Sequence, residues 1–329
     1  MNVSVVVTCL NEEENIRDCL NTLVTQDYSN GQYEVVVADG SSADNTRDIV
    51  QEFVEAYPNV RLAMHSRKGT AAGRNTGVQS AAYEYIAFID ADCEAPENWL
   101  STLASAYLEI TGRDHSVIAV GGINLPPTGC GSFVKAIGVA LDSFIGSFNS
   151  IQGRQYKNPL YVSSLSNLNV LYRKQPIIDI GYYDESLYSE AEDADLNFRL
   201  HTAGHRFVFI PDSYVWHRMR PTPKTWFKNM FRYGKGRARL LKRYPKMWNL
   251  SFVLPLLFGL AIISVIFAPL LGILYLPLLY FPFLVFFSII QSIKKRQPTI
   301  ALQIMIVYLI QHFGYAAGEI YGLVNPQVK

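Results

Sequence analysis

Apolar and polar residues recur along the first 90 positions in two different periods. Residues 3–8 and 34–38 are short β-branched runs closed by polar residues or glycine, the pattern of strands buried on both faces. Residues 15–25 and 44–57 instead carry apolar side chains at helical spacing, as in Ile49, Val50, Phe53 and Val54. A third unit repeats the order, with a strand over 60–64, a helix over about 70–82 and a strand over 85–89. Such alternation predicts a doubly wound α/β sheet with helices on both faces. Ligands of these sheets bind at the carboxyl ends of the strands. The residues there are Asn11 and Glu12, residues 39–44, and residues 90–92.

The pattern weakens over 124–157, where Pro126, Pro127, Gly129 and Gly131 mark a loop, and this stretch is left unassigned. A return strand is expected over 160–172, an amphipathic helix over 190–203, and a short strand over 207–210 that ends at Pro211. Beyond Trp248 the composition changes, and residues 252–287 form a run of 36 without a charge. One helix of that length would reach roughly 54 Å, whereas a bilayer core is about 30 Å thick. Two spans with a break near Pro269 to Gly272 use the run, and residues 299–324 offer a third, more polar span containing Gln303, Gln311, His312 and Glu319. The expected domains are an α/β domain over 1–223, a basic segment over 224–247, and a transmembrane domain of about three spans over 248–329.

The segment before Cys9 has no basic residues ahead of its apolar run, so no signal peptide is expected and the α/β domain is placed in the cytoplasm. Lys294, Lys295 and Arg296 then fall on the inside between spans two and three, as the positive-inside rule requires. These readings describe a multi-pass protein of the cell membrane. Gly314, Gly318 and Gly322 at four-residue spacing predict close helix pairing, either within the chain or as a homodimer through the third span. Glu319 is expected to turn away from lipid.

Charge narrows the function. The formal net charge of +1 excludes the broad basic footprint of a nucleic-acid-binding protein, although Arg and Lys cluster between Arg218 and Lys246. Cys9, Cys19, Cys93 and Cys130 form no CxxC pair, which leaves buried free thiols rather than a structural zinc site. Asp90-Ala91-Asp92 follows an apolar strand and presents two carboxylates where they can meet a divalent cation, Mg²⁺ or Mn²⁺. Glu192-Asp193-Ala194-Asp195 opens a predicted helix, where acidic residues ordinarily just complement the helix dipole. With Glu185 and Glu190 nearby, negative charge this dense also suits a general base.

Asn11-Glu12, Asp39-Gly40-Ser41-Ser42-Ala43-Asp44, Gly69-Thr70-Ala71-Ala72-Gly73-Arg74-Asn75, Asp90-Ala91-Asp92 and Glu192-Asp193-Ala194-Asp195 occur in that order. As a set they closely resemble glycosyltransferase family 2, whose fold is GT-A, over about residues 1–217. The resemblance implies an inverting transferase with a mixed sheet. It implies that Asp39 and Asp44 flank the base and ribose of a nucleotide-sugar donor, with Thr8, Asn11 and Glu12 in the same pocket. It sets Gly69 and Arg74 near the diphosphate, makes Asp90, Ala91 and Asp92 the donor and cation motif with Asp92 the principal ligand, and makes Asp193 the catalytic base. His217 resembles a further metal ligand of some relatives, against a tryptophan–histidine pair that only packs. Asn169 matches an Asn that faces donor sugar or acceptor, or is a loop residue bonded to backbone. The chain departs from the family where Thr8 replaces a usual Pro and Gly73 a usual Ala.

The basic segment over 227–243 resembles the interfacial helix of cellulose-synthase-like members, without their Gln-x-x-Arg-Trp motif. Arg232 or Arg237 is expected to take its place near diphosphate or acceptor alongside Glu192, and the segment also suits anionic lipid. The expected reaction is transfer of one sugar, with GDP-mannose as first choice after archaeal and bacterial membrane mannosyltransferases, to a polyprenyl- or dolichyl-linked acceptor. A processive polysaccharide synthase using a UDP-sugar, a polyprenyl-phosphate sugar synthase and a non-catalytic nucleotide-binding scaffold are the alternatives. A phosphate acceptor needs no general base, so Glu192 and Asp193 favour a hydroxyl acceptor.

Overall fold

A computed structural model describes residues 1–29, 31–147, 150–151, 153–248, 250–269 and 272–325. The chain forms two compact units, Met1–Leu125 with Gln155–Arg218 and Pro126–Arg154 with Met219–Lys329.

The first unit is built on one mixed sheet. Its strands are β1 (Val3–Cys9), β2 (Tyr33–Asp39), β3 (Val60–Met64), β4 (Tyr85–Asp90), β5 (Cys93–Glu94), β6 (Val117–Leu125), β7 (Leu160–Val162), β8 (Val170–Arg173) and β9 (Arg206–His217). They lie in the order β3-β2-β1-β4-β8-β6-β9-β5, with β7 on β9. The β3-β2-β1-β4 half is parallel, and β8 joins β4 and β6 antiparallel. Val3, Val5, Val6 and Val7 of β1 have no exposed surface, as a strand covered on both faces requires.

The crossovers carry α1 (Ile16–Val24), α2 (Thr46–Ala56) and α3 (Thr70–Ser80), and α4 (Trp99–Thr111) leads into β6. Ile16, Cys19, Leu20 and Leu23 of α1, with Trp99, Leu100 and Leu103 of α4, join the main core. α3 packs differently, because small residues let almost the whole helix sink onto the sheet. A Cβ on Gly77 would stand 2.2 Å from Val6 Cγ1. That approach carries Arg74 and Asn75 into the interior at 4% exposure each.

Three expectations change. The return strand over 160–172 is two strands, β7 and β8, with a polar loop between them. β9 does not stop at Pro211. Its pairing with β6 passes from Gly121↔Phe209 to Ile123↔Tyr214, so a bulge takes up the proline, which has no N–H for the ladder. The unassigned stretch holds α5 (Ser132–Leu141) and α6 (Phe144–Ser147), both in the second unit, while α7 (Lys174–Asp179) and α8 (Glu192–Thr202) belong to the first.

The second unit adds α9 (Pro223–Arg243), α10 (Leu250–Ser264), α11 (Tyr280–Lys294) and α12 (Ala301–Val324). Thr222 and Thr225 form a reciprocal capping box at the start of α9, with Pro223 at the first helical position. Among the described residues two helices are long and apolar enough to cross a membrane, Tyr275–Lys294 and Pro298–Val324, while the apolar helix Val253–Phe267 is shorter. The first of three expected spans is therefore a shorter apolar helix, and the break expected near Pro269 to Gly272 falls partly on residues 270–271, outside the described residues. Large apolar side chains remain uncovered along this region, including Leu257, Leu260, Ile263, Phe283, Phe286 and Ile293.

The glycine face of α12 is occupied by α9 of the same chain. A Cβ on Gly318 would lie 2.0 Å from Phe231 O, and one on Gly322 2.6 Å from Ala238 Cβ. Glu319 is fully buried, as expected.

Candidate active site

Strand register assembles the site at the carboxyl edge of the parallel half. Thr8 stands beside Asp90 in the β1–β4 ladder, and Cys9 beside Asp39 in the β1–β2 ladder. Asp39 shapes the loop that follows it: its carboxylate accepts from Ser41 N and Ser42 N, both at 3.0 Å, and from Ser42 Oγ at 2.5 Å. With 0% exposure it turns inward and holds the loop that the sequence places at the base and ribose. Asn11 adopts a left-handed backbone (φ 55°) and its side chain accepts from Ala43 N at 2.8 Å, which ties the β1 and β2 loops together. Glu12 accepts from Asn15 Nδ2 at 2.7 Å, and Asp44 takes the Thr46 amide and hydroxyl at 3.0 and 2.5 Å.

The two departures from the family pattern are neighbours. A Cβ on Gly73 would come within 3.2 Å of Thr8 Cγ2 and 3.3 Å of His65 Nε2. Glycine at 73 thus leaves room for the branched Thr8 and for His65, a residue the sequence reading passed over although it directly follows β3 at the same edge. Gly69 begins α3 with φ +92°, and a Cβ there would stand 2.5 Å from Tyr188 Cα, so only glycine fits. Across that contact Tyr188 O accepts from Ala71 N at 2.9 Å and Ser189 Oγ accepts from Thr70 N at 3.0 Å. The start of α3 is therefore capped by the segment leading to α8.

Arg74 is the hinge of the charge network. Its Nη1 donates to Glu192 Oε1 at 2.6 Å and its Nη2 to Asp90 Oδ1 at 3.3 Å, and its guanidinium lies 5.8 Å from the Tyr183 ring centroid. Burial works against the charge, but Glu192 and Asp90 more than offset it and hold the arginine protonated. Buried and doubly engaged, Arg74 braces the Asp90 strand end against α8. Burial raises Asp90, with Arg74 pulling it back, and burial pushes Glu192 up to about 7 against the same arginine.

That shift predicts a pH effect. Between about 4.5 and about 7 the folded chain holds a proton on Glu192 that the unfolded chain has released, so stability falls as pH rises through this window and levels off above it. The slope is at most about 1.4 kcal/mol per pH unit. Thermal melts of Glu192→Gln between pH 5 and 8 should show a flatter profile than wild type. Parallel profiles would remove Glu192 as the cause.

α8 opens at Ala191, whose left-handed backbone (φ 65°) is costly for a residue with a Cβ. Of the carboxylates in its first turn, Glu192 pairs with Arg74 and Asp195 with Arg199 at 2.8 Å. Asp193 makes no ion pair among the described residues. It is half-buried, and its Oδ1 accepts from Ala194 N at 2.8 Å.

Asp92 and His217 are brought together by the last strand. β5 pairs with β9 so that Cys93 faces His217, and Arg218 N donates to Asp92 O at 2.9 Å. His217 Nε2 is 3.5 Å from Asp92 Oδ2. These atoms and Cys93 Sγ lie within 4.8 Å of one another. A carboxylate oxygen and an imidazole nitrogen suit a divalent cation. The thiol is pushed well up by burial, reinforced by Asp92 and Asp90, which leaves oxygen and nitrogen as the fitting donors. Arg218, the first residue of the basic cluster, ties this strand end to Asp18 and Glu94.

Asn169 lies just before β8 at 1% exposure, and its side chain is fully committed. Its Oδ1 accepts from Trp99 Nε1 and Ser213 Oγ, and its Nδ2 donates to Ile123 O and Ser213 O. Of its two expected roles, the bonding geometry fits the residue bound to backbone and not the one that faces a ligand. Ala91 is buried between the two aspartates. Arg232 and Arg237 belong to α9 of the second unit, where Arg232 donates to Asn229 Oδ1 at 2.8 Å and the Arg237 guanidinium lies 5.2 Å from the Tyr315 ring centroid.

Residues 4–160 match the family model described as Glycosyl transferase family 2, and residues 85–291 match Glycosyl transferase family group 2. The chain is 30% identical to glycosyltransferase AglE of Haloferax volcanii over 243 residues, 72% of this chain and 73% of that protein. It is 25% identical to poly-β-1,6-N-acetyl-D-glucosamine synthase of Staphylococcus aureus over 267 residues, 80% of this chain but only 62% of that protein. Among solved structures it resembles the mannosyltransferase PcManGT from Pyrobaculum calidifontis in complex with GDP-Man and Mn²⁺. The TM-score is 0.58 at 17% identity, covering 94% of this chain and 86% of that one, a likeness of fold.

Proposed function

Because the chain belongs to glycosyl transferase family 2 and is a glycosyltransferase of GT-A fold, we propose that it transfers one sugar, with inversion, from a nucleotide donor to a hydroxyl of a lipid-linked acceptor. The observation that carries this reading is the state of Asp193, the one carboxylate in the first turn of α8 with no ion pair among the described residues. An acceptor hydroxyl gives its proton to Asp193 as its oxygen attacks the anomeric carbon, and the nucleoside diphosphate departs from the opposite face. Glu192 and Asp195 cannot share this work while Arg74 and Arg199 hold them.

Asp92 and His217 are the residues that would hold a divalent cation, which when bound neutralises charge on the departing diphosphate. Thr8, His65 and Gly73 border the donor pocket, and Asn11, Glu12 and Asp44 fix its loops. GDP-mannose is the proposed donor, in keeping with the GDP-Man complex of PcManGT. A UDP-sugar is the second reading, in keeping with the identity to the staphylococcal polysaccharide synthase. The uncovered apolar side chains of α10 and α11 support attachment to a membrane, where such an acceptor resides.

Thermal shift tests donor and cation together. With Mn²⁺ present, GDP-mannose at one hundred times its dissociation constant should add about 2.7 kcal/mol of stability, and Asp92→Ala should lose the Mn²⁺-dependent part. Stabilisation by UDP-sugars alone would replace mannose. Donor hydrolysis without transfer to any polyprenyl-linked sugar would overturn the acceptor.

A further inference from the structure

α9 and α12 run in the same direction with their backbones nearly touching. A Cβ on Gly314 would meet Met230 Cβ at 3.0 Å and Phe227 O at 3.3 Å, one on Gly318 would meet Phe231 O at 2.0 Å, and one on Gly322 would meet Ala238 Cβ at 2.6 Å. From the other side, a Cβ on Gly234 would stand 2.1 Å from Tyr315 O. Lys242 Nζ donates to Asn325 O at 2.9 Å where both helices end. Successive contacts along α12 are thus met in order along α9, over roughly 17 Å of α12 counted from Gly314 to Asn325. Rods in register over that distance share one orientation to any surface.

α9 carries eight Lys or Arg and no Asp or Glu in its 21 residues. Such a helix does not enter hydrocarbon, because each charge resists leaving water and gains at an anionic lipid surface. α12 is fastened to polar groups along its other side as well. His312 bonds Ile145 O at 2.7 Å, Tyr308 OH bonds Ser143 Oγ at 2.8 Å, and Lys295, just before the helix, pairs with Asp142. Its most exposed large apolar residues are Leu302, Tyr321 and Val324, with Met305, Ile306, Leu309 and Ile310 half-buried.

We propose that α12 lies flat in the interface of an anionic bilayer beside α9 and does not cross, although its length and composition suffice for a span. The chain then enters the bilayer only through α10 and α11 and returns to the side it left. This rests on the reading that the chain is attached to a membrane.

Cysteine labelling in sealed membrane vesicles tests it with the full chain. Lys294 and Val324 bracket α12 and are both exposed. Lys294→Cys and Val324→Cys are made separately in a Cys130→Ser background, since the other three native thiols are buried. A membrane-impermeant maleimide is applied before and after permeabilisation, with labelling in detergent setting the scale. Both positions should react from the same side and to the same fraction. Reaction from opposite sides means that α12 crosses and overturns the proposal. Alkaline carbonate washing, done first, separates the premise: a chain stripped from the vesicles overturns the membrane reading, and this proposal with it.

Discussion

Asp193→Asn is expected to lower turnover by about 10²-fold or more while donor and cation binding stay close to wild type. The amide keeps the shape of the side chain and can still accept from Ala194 N, so α8 should retain its first turn. What it loses is the ability to take a proton. Asp193 is not braced by Arg74 or Arg199, so no ion pair collapses with the change, and the loss should fall on the chemical step. Single-turnover transfer, run beside nucleotide thermal shift, separates the two effects. Wild-type transfer rates in the variant would remove Asp193 from the mechanism, and lost donor binding would make it a structural residue.

Gly318→Leu should be the most damaging single change in the second unit. Its Cβ would sit 2.0 Å from Phe231 O, 2.8 Å from Phe231 C and 3.0 Å from Lys235 N, all backbone atoms that no rotamer change can move. Overpacking typically costs about 1–3 kcal/mol, more where backbone must shift, against a total stability of about 5–15 kcal/mol. The helices would part, exposing the buried Glu319. Ala317→Leu one residue earlier, at an exposed position, is the control and should melt like wild type. Equal melting temperatures for Gly318→Leu and Ala317→Leu in detergent would mean that the α9–α12 contact contributes little to the fold.

The parallel half of the sheet was legible because its strands are contiguous and covered on both faces, so each reads as an apolar run between helical repeats. Val3–Cys9, Tyr33–Asp39, Val60–Met64 and Tyr85–Asp90 fall within a residue or two of the runs that announce them. α5 lies in the stretch over 124–157 where the pattern weakens, and β9 runs beyond the strand expected over 207–210. β9 continues through a proline by means of a bulge, and a bulge is defined by the partner strand.

The sequence by itself determined the fold class, the family, and the order in which acidic motifs arrive at the carboxyl edge, since these depend on local period and on residues adjacent in the chain. Only the tertiary structure decided what each charge does there. Asp39, Arg74 and Asn169 match motif positions, yet their polar atoms are spent on partners 2 to 118 residues away. Asp193 stands out from Glu192 and Asp195 only because Arg74 and Arg199 reach its neighbours. The same holds for α12. Its glycine spacing announces a close helix partner, and that the partner is α9 is settled by packing at long range.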